Sequence, residues 1–346
     1  MSKKLKILLS VCCAVLAAVA VFLVCILGGG GGYYLEDGSF QRITRRSSVR
    51  YSMQHPAFEG IGEFIMPWLD GFNRNISVLY NWDFMALTAG YNGEDIVSGL
   101  NFLIEQKELQ GELVYPYYSE AEILADESKR NAQVLFIPGE KDKPVAFVVP
   151  GGGFNAWCAI AEGFPVARDL HEKGYNVFVI QYRISIEDSE EAGERMALAD
   201  MSRAVKYVHD NAQSFGVDMR NYSVWGFSAG GRLCHLFCAD QEFGYGAIGL
   251  PSPRLATLVY SGWYDEKLND ASAMPSVYFS YTKNDSIIGE ENVKAIEKTI
   301  EFLKSQNKSV GVAVFEKADH GYGVGKGTEA DGWLNGACDF WESLDN

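Results

Sequence analysis

Basic side chains are in short supply. The chain carries 30 Lys and Arg against 45 Asp and Glu, a formal net charge of −15. Three of the 30 (Lys3, Lys4 and Lys6) precede an apolar run, so beyond it 27 basic residues face 45 acidic ones, a balance of about −18. A surface so acidic excludes nucleic acid and anionic lipid headgroups as partners and suits a neutral or cationic small substrate. Cysteine is too sparse for a disulfide scaffold: of seven, Cys12, Cys13 and Cys25 lie in the apolar run, leaving Cys158, Cys234, Cys238 and Cys338 for a large domain. Cys234 and Cys238 share a predicted helix face and read as buried free thiols. No Cys or His cluster of zinc spacing accompanies them, so neither metal nor cofactor is expected. No internal repeat is present, and with 47% apolar and 22% charged residues the chain is globular rather than disordered.

Charge is missing altogether between Ile7 and Leu27. As a helix this run would measure roughly 31 Å, about the thickness of a bilayer core. Residues 1–27 therefore read as a single-pass membrane anchor, and the preceding lysines predict that everything after it lies outside the cytoplasm. A cleaved signal peptide is the alternative, because Ala18-Val19-Ala20 has the small-x-small form. In that case the protein would be secreted, but the apolar "VFLVCIL" that follows is a poor cleavage region. Residues 28–32, "GGGGG", form a short flexible linker. Residues 33–346 form one domain in this reading, with 33–110 a leading, lid-like region that includes "IGEFIMPWLDGF".

From about residue 130, apolar runs of strand length alternate with helical patterns: "QVLFIP", "VAFVVP", "NVFVIQY", "YSVWGF", "ATLVYSG", "SVYFSYT" and "VGVAVF". This is the signature of an α/β domain with a mostly parallel sheet and helices on both faces. Predicted helices cover Phe164 to Lys173, ending at Gly174, then Met196 to Ser214, Ala229 to Ala239, Glu291 to Ser305 and Trp333 to Leu344. Upstream, Asn92 opens an amphipathic helix and Ser119 with Glu122 makes a capping box. "GELVYPYY" between them reads as an antiparallel edge strand, kept at the edge by Pro116.

One serine stands out. "WGFSAGGR" places Ser228 between Gly226 and Gly230, after a strand and before a helix, in the pattern of a nucleophile elbow. The small neighbours allow a tight turn, and the helix that follows offers free N–H groups to an anion. Upstream, Pro150-Gly-Gly-Gly-Phe154 ends a strand. The N–H groups of Gly152, Gly153 and Ala229 are the candidate donors for an oxyanion formed at an ester carbonyl. A serine hydroxyl needs a base, and of five histidines only His320, in "KADHGYG", sits in a loop after a late strand. Asp285, in "YTKNDSII", is the favoured carboxylate to orient it, in the order Ser228, Asp285, His320. Two rivals remain: Asp265, one strand early, and Asp319, adjacent to the histidine. Tyr182-Arg183 and Asp200 read as a loop brace. Phe154, Trp157, Trp225 and Trp263, near predicted loop tips, are packing residues first and platforms for a sugar or acyl group second.

Taken together, "PGGGF", "EGFPVARDLHEKGYNVFVIQYR", "DMSRAVKYVHDNAQSFGVD", "GFSAGG", "YTKNDSII" and "DHGYG" resemble the α/β-hydrolase superfamily. Within it they resemble bacterial carbohydrate acetyl esterases and related small carboxylesterases, over about residues 110 to 346. The resemblance implies Ser228 as nucleophile, His320 as base, Asp285 as orienting acid and the Gly triplet as oxyanion hole, with no cofactor. It also implies a short acyl group, such as acetyl on a carbohydrate. Pro150 stands where related lipases carry a histidine, which removes a side chain that helps fix that loop. Two other functions are compatible with the sequence: a serine peptidase of the same fold, and a membrane-tethered, non-catalytic binding protein. A histidine base has one direct consequence. Hydrolysis of a short acyl ester should decline as pH falls through roughly 6 to 7, because a protonated imidazole accepts no proton; a pH–rate profile flat down to pH 5 would remove His320 from that role.

Overall fold

A computed structural model describes residues 32–65, 81–185, 189–262 and 271–344. Among them one eight-stranded sheet runs in the order β1-β2-β4-β3-β5-β6-β7-β8. The strands are β1 (Val114–Pro116), β2 (Gln133–Ile137), β3 (Val145–Val149), β4 (Asn176–Gln181), β5 (Ser223–Phe227), β6 (Leu255–Val259), β7 (Ser276–Thr282) and β8 (Val310–Phe315). β1 and β2 pair antiparallel, as do β2 and β4, and the remaining pairs are parallel. Each expected strand is present, with the proline-bearing β1 at one edge.

Every residue of β2 to β6 is buried, which requires cover on both faces of the sheet. On one face Phe136, Phe178 and Phe147 stand side by side across β2, β4 and β3, with ring centroids 4.4 and 5.4 Å apart. Phe215 closes over this row edge-on. On the other, Trp225 of β5 packs against Trp333 and Trp341. Trp225 was expected near a loop tip; it lies within a strand and is fully buried. Phe154 and Trp157 are buried too, whereas Trp263 and Asp265 lie outside the described residues.

The longer helices are α1 (Trp82–Ala89), α2 (Gly93–Gln110), α3 (Phe164–Glu172), α4 (Glu190–Asp210), α5 (Ala229–Ala239), α6 (Gly289–Ser305) and α7 (Trp333–Ser343). Helix α4 begins six residues earlier than its apolar stripe suggests. Ser189 caps it by accepting from the Ala192 N–H, and Glu190 and Glu191 complement the positive end of its dipole. It also stops short of Ser214, at Asn211, and a separate turn ends at Gly216 with φ 69°. The Asn92 cap and the Ser119–Glu122 capping box form as expected.

The leading region is built into the core. Helix α2 buries Ile96, Leu100, Leu103 and Ile104, and it meets α3 so closely that a Cβ on Gly99 would lie 3.0 Å from the Pro165 nitrogen. Phe64 packs edge-on against Trp157 and Phe164. The rest of the "IGEFIMPWLDGF" stretch, beyond residue 65, falls outside the described residues. So does the apolar run Ile7–Leu27 with most of the glycine linker; among the described residues no helix is long and apolar enough to cross a membrane.

The aromatic row yields a stability prediction. Phe178→Ala removes the middle ring and should cost about 3–5 kcal/mol, seen as a lowered denaturant midpoint; an unchanged midpoint would mean that the row carries little of the core.

Candidate active site

Parallel strands end together, and the loops after β3, β5, β6, β7 and β8 meet at their carboxyl ends. Ser228 follows β5 directly with φ 50° and ψ −119°, a strained conformation for a non-glycine residue. Its neighbours explain how the strain is held. A Cβ on Gly230 would lie 2.0 Å from the Val149 carbonyl oxygen, and one on Gly226 would lie 2.3 Å from the Gly230 oxygen. Only glycine fits at either position. The Ser228 N–H donates to Val259 O at 2.9 Å, tying the turn to β6.

His320, after β8, reaches the serine with Nε2 2.9 Å from Ser228 Oγ. Its other ring nitrogen, Nδ1, lies 2.8 Å from Asp285 Oδ2. Asp285 is buried; its Oδ1 accepts from the backbone N–H groups of Ile287 and Ile288 at 3.0 and 2.9 Å. That fixes which carboxylate oxygen faces the ring. Asp319, the rival beside the histidine, is occupied elsewhere. Its Oδ1 accepts from the Ser286 N–H at 2.9 Å and from the His320 N–H at 2.8 Å, so it joins the two loops without touching the imidazole.

The other histidines stand apart. His55 Nδ1 accepts from the Ala57 N–H and its Nε2 pairs with Gln41 O, a cap on a short helical turn. His171 packs on Phe102, His209 sits beside Asp210, and His235 is buried on α5.

The Gly-triplet loop follows β3. Gly152, Gly153 and Phe154 have φ values of 128, 63 and 63°, which turns the chain sharply. A Cβ on Gly151 would lie 2.8 Å from Ser228 Cβ, so this loop presses directly on the elbow. Among the described residues nothing accepts a hydrogen bond from the Gly152, Gly153 or Ala229 N–H groups. The Tyr182 hydroxyl donates to Pro150 O at 2.8 Å and helps hold the loop.

Behind these groups lie residues with no role in the sequence reading. Glu162, in the π-helical turn Ala159–Gly163, accepts from the Gly151 N–H at 2.7 Å and from the Tyr260 hydroxyl at 2.9 Å. The Tyr260 ring packs on His320 with centroids 4.8 Å apart. Tyr91, between α1 and α2, donates to Cys158 Sγ at 3.3 Å and stands beside Gly321. The leading region thus reaches the histidine loop. "EGF" was visible as a stretch of the motif, but nothing local shows where its carboxylate points.

The Arg183 brace is real. Its guanidinium meets Asp200 at 2.7 and 2.9 Å, its own N–H donates to Asp200 Oδ2 at 2.7 Å, and the Tyr118 hydroxyl adds a bond to Asp200 at 2.6 Å. Cys158, Cys234, Cys238 and Cys338 are free, and burial pushes the Cys158 and Cys338 thiols up to about 12. Among the described residues no group of three His, Cys, Asp or Glu is arranged to hold a metal ion. A polar cleft of about 590 Å³ opens nearby between Arg168, Glu172, Lys326 and Asp331, but none of Ser228, His320 and Asp285 lines it.

Strand order, the turn after β5 and the loop after β8 decide the architecture. The chain has the α/β-hydrolase fold. Solved structures agree: an acetyl ester-xyloside bifunctional hydrolase from Caldicellulosiruptor lactoaceticus aligns over 67% of this chain and 96% of its own, with TM-score 0.54 and 21% identity. A carboxylesterase from Lactobacillus plantarum aligns over 62% and 93%, with TM-score 0.51 and 17% identity. In sequence, the profile of the BD-FAE family matches residues 135–244. An acetylxylan esterase from Xylanibacter ruminicola is 28% identical over 110 residues, 32% of this chain and 22% of that protein. Endo-1,4-beta-xylanase B from Butyrivibrio fibrisolvens is 36% identical over 87 residues, 25% of this chain and 13% of that protein. The chain therefore spans under a quarter of the length of either curated relative.

A prediction attaches to the brace. Asp200 is fully buried, so Arg183→Met leaves its charge unpaired and should lower stability by about 3–5 kcal/mol, read by denaturant unfolding. Loss of less than about 1 kcal/mol would show that the Tyr118 hydroxyl and the backbone N–H of residue 183 are enough to satisfy the carboxylate.

Proposed function

We propose that this protein is a serine hydrolase of carboxylic esters, acting on short acyl groups, with acetyl esters of carbohydrate as the substrate class. The observation that carries the reading is the hydrogen-bonded series Asp285, His320, Ser228, with distances of 2.8 and 2.9 Å, ending at a serine in a strained turn. The acyl choice draws on the stretches shared with an acetylxylan esterase, and the acidic balance of the chain suits a neutral substrate.

The chemistry follows from the positions. Ser228 Oγ attacks the acyl carbon as its proton passes to His320 Nε2, and Asp285 stabilises the imidazolium through Nδ1. The oxyanion is received by the N–H groups of Gly152, Gly153 and Ala229, donors already in place before reaction. His320 then returns the proton to the leaving alcohol. Water repeats the sequence on the acyl-serine and releases the acid. No step calls for a cofactor.

A membrane location belongs to the same proposal. Its support is the uncharged run Ile7–Leu27 after three lysines, which would place the catalytic domain outside the cytoplasm on a single-pass anchor.

The test is hydrolysis of p-nitrophenyl acetate and of longer acyl homologues, with Ser228→Ala and a serine-directed fluorophosphonate alongside. Turnover by the wild type, loss of about 10⁴-fold or more in Ser228→Ala and covalent labelling of Ser228 are the expected results. Cleavage of peptide amides without ester turnover would favour a peptidase, and absence of both turnover and labelling would favour a binding protein.

A further inference from the structure

Three unusual features converge on one buried carboxyl group. Glu162 is only 2% exposed, and it sits in a π-helical turn, a rare form frequently found at functional sites. Tyr260, which donates to it, has φ 34°, a left-handed backbone in a bulky residue. Gly151, whose N–H it accepts at 2.7 Å, is caught between the elbow and this carboxylate: a Cβ there would lie 2.6 Å from Phe227 O, 2.8 Å from Ser228 Cβ and 3.0 Å from Glu162 Oε2. Burial pushes the Glu162 carboxyl upward, while its two donors and His320 favour the charged form. A buried acid held at such cost has a specific task.

We propose that Glu162 is a positioning residue that locks the Gly-triplet loop to the loop carrying His320, using Gly151 on one side and Tyr260 on the other. This rests on the esterase reading of the same site. Glu162 Oε2 fixes Gly151, and with it the donors of Gly152 and Gly153 that follow. Glu162 Oε1 fixes the Tyr260 hydroxyl, which also accepts from the Gly323 N–H at 3.2 Å, three residues past the histidine. The Tyr260 ring lies against His320 and, 4.6 Å between centroids, against Tyr322. One side chain thus sets the distance between where the oxyanion forms and where the proton goes. Glutamine cannot replace it fully. Its oxygen would still accept from Gly151, but its NH₂ would face the Tyr260 hydroxyl, leaving that buried O–H without an acceptor.

The experiment compares Glu162→Gln, Tyr260→Phe and the double variant with the wild type and Ser228→Ala. It measures kcat and KM on p-nitrophenyl acetate, the fluorophosphonate labelling rate and the thermal midpoint. Misplaced donors cost transition-state binding, so each single variant should lose about 10- to 100-fold in kcat with KM within about twofold. The double variant should fall little below the weaker single one, because both act along the same path. Glu162→Gln with wild-type kcat, fully additive losses, or a kcat loss matched by a rise in KM would each overturn the proposal. If Glu162→Gln fails to fold, Tyr260→Phe, which keeps the ring on His320, carries the test alone. Wild-type turnover that Ser228→Ala abolishes upholds the esterase reading whatever Glu162 does. If the wild type turns over no ester but is still labelled, the labelling rate carries the comparison, and a wild type neither active nor labelled sinks both.

Discussion

The contact between the β5 turn and the end of β3 is the constraint on which this molecule depends. Gly230 lies so near the Val149 carbonyl that no side chain fits between them, and Gly151 leaves no room for one against Phe227 O and Ser228. A parallel sheet brings these two strand ends side by side, and glycine lets the backbones touch. The result is a serine and a row of N–H groups brought together by main-chain contact, with the Glu162 carboxylate and the Tyr182 hydroxyl fastening the Gly-triplet loop from behind. Main chain cannot change rotamer, so the separation set by these glycine contacts does not vary with side-chain conformation.

The other half is assembled from side chains on long-range loops. His320 and Asp285 are set 35 residues apart in sequence, and each is steadied by backbone donors or by a neighbouring carboxylate. Asp319 accounts for much of that order. It lost the contest for the histidine ring because its own oxygen already spans the two loops. Two carboxylates on different loops thus divide the labour: one faces the imidazole, the other holds its backbone.

Much of the fold was legible because burial on both faces forces long β-branched and aromatic runs, and β2 to β6 are such runs. The candidate site was legible to the degree that glycines mark tight turns. What escaped has a common physical origin. The early start of α4 depends on Ser189 as a cap ahead of its apolar stripe, a signal easily outweighed by periodicity. Trp225 read as lying near a loop tip at the end of its strand, yet its surroundings come from α7, more than a hundred residues later. Glu162 and Tyr260 are 98 apart in sequence, and no local pattern announces a bond between them.

The crossing of α2 and α3 at Gly99 bears on how the chain can be divided. The BD-FAE profile begins at residue 135, and the stretches that carry the resemblance all lie beyond 110. Yet α2 contributes buried leucines and isoleucines to the same interior, and Tyr91 stands beside Gly321 of the histidine loop. The leading region is consequently not a detachable module: trimming the chain to its recognisable stretch would bare the face of α3 and take Tyr91 away from the histidine loop. Any exchange of parts with other proteins of this fold would have to carry the α2–α3 pair across as a unit, so the practical boundary of the folded unit lies well upstream of the point where its motifs begin.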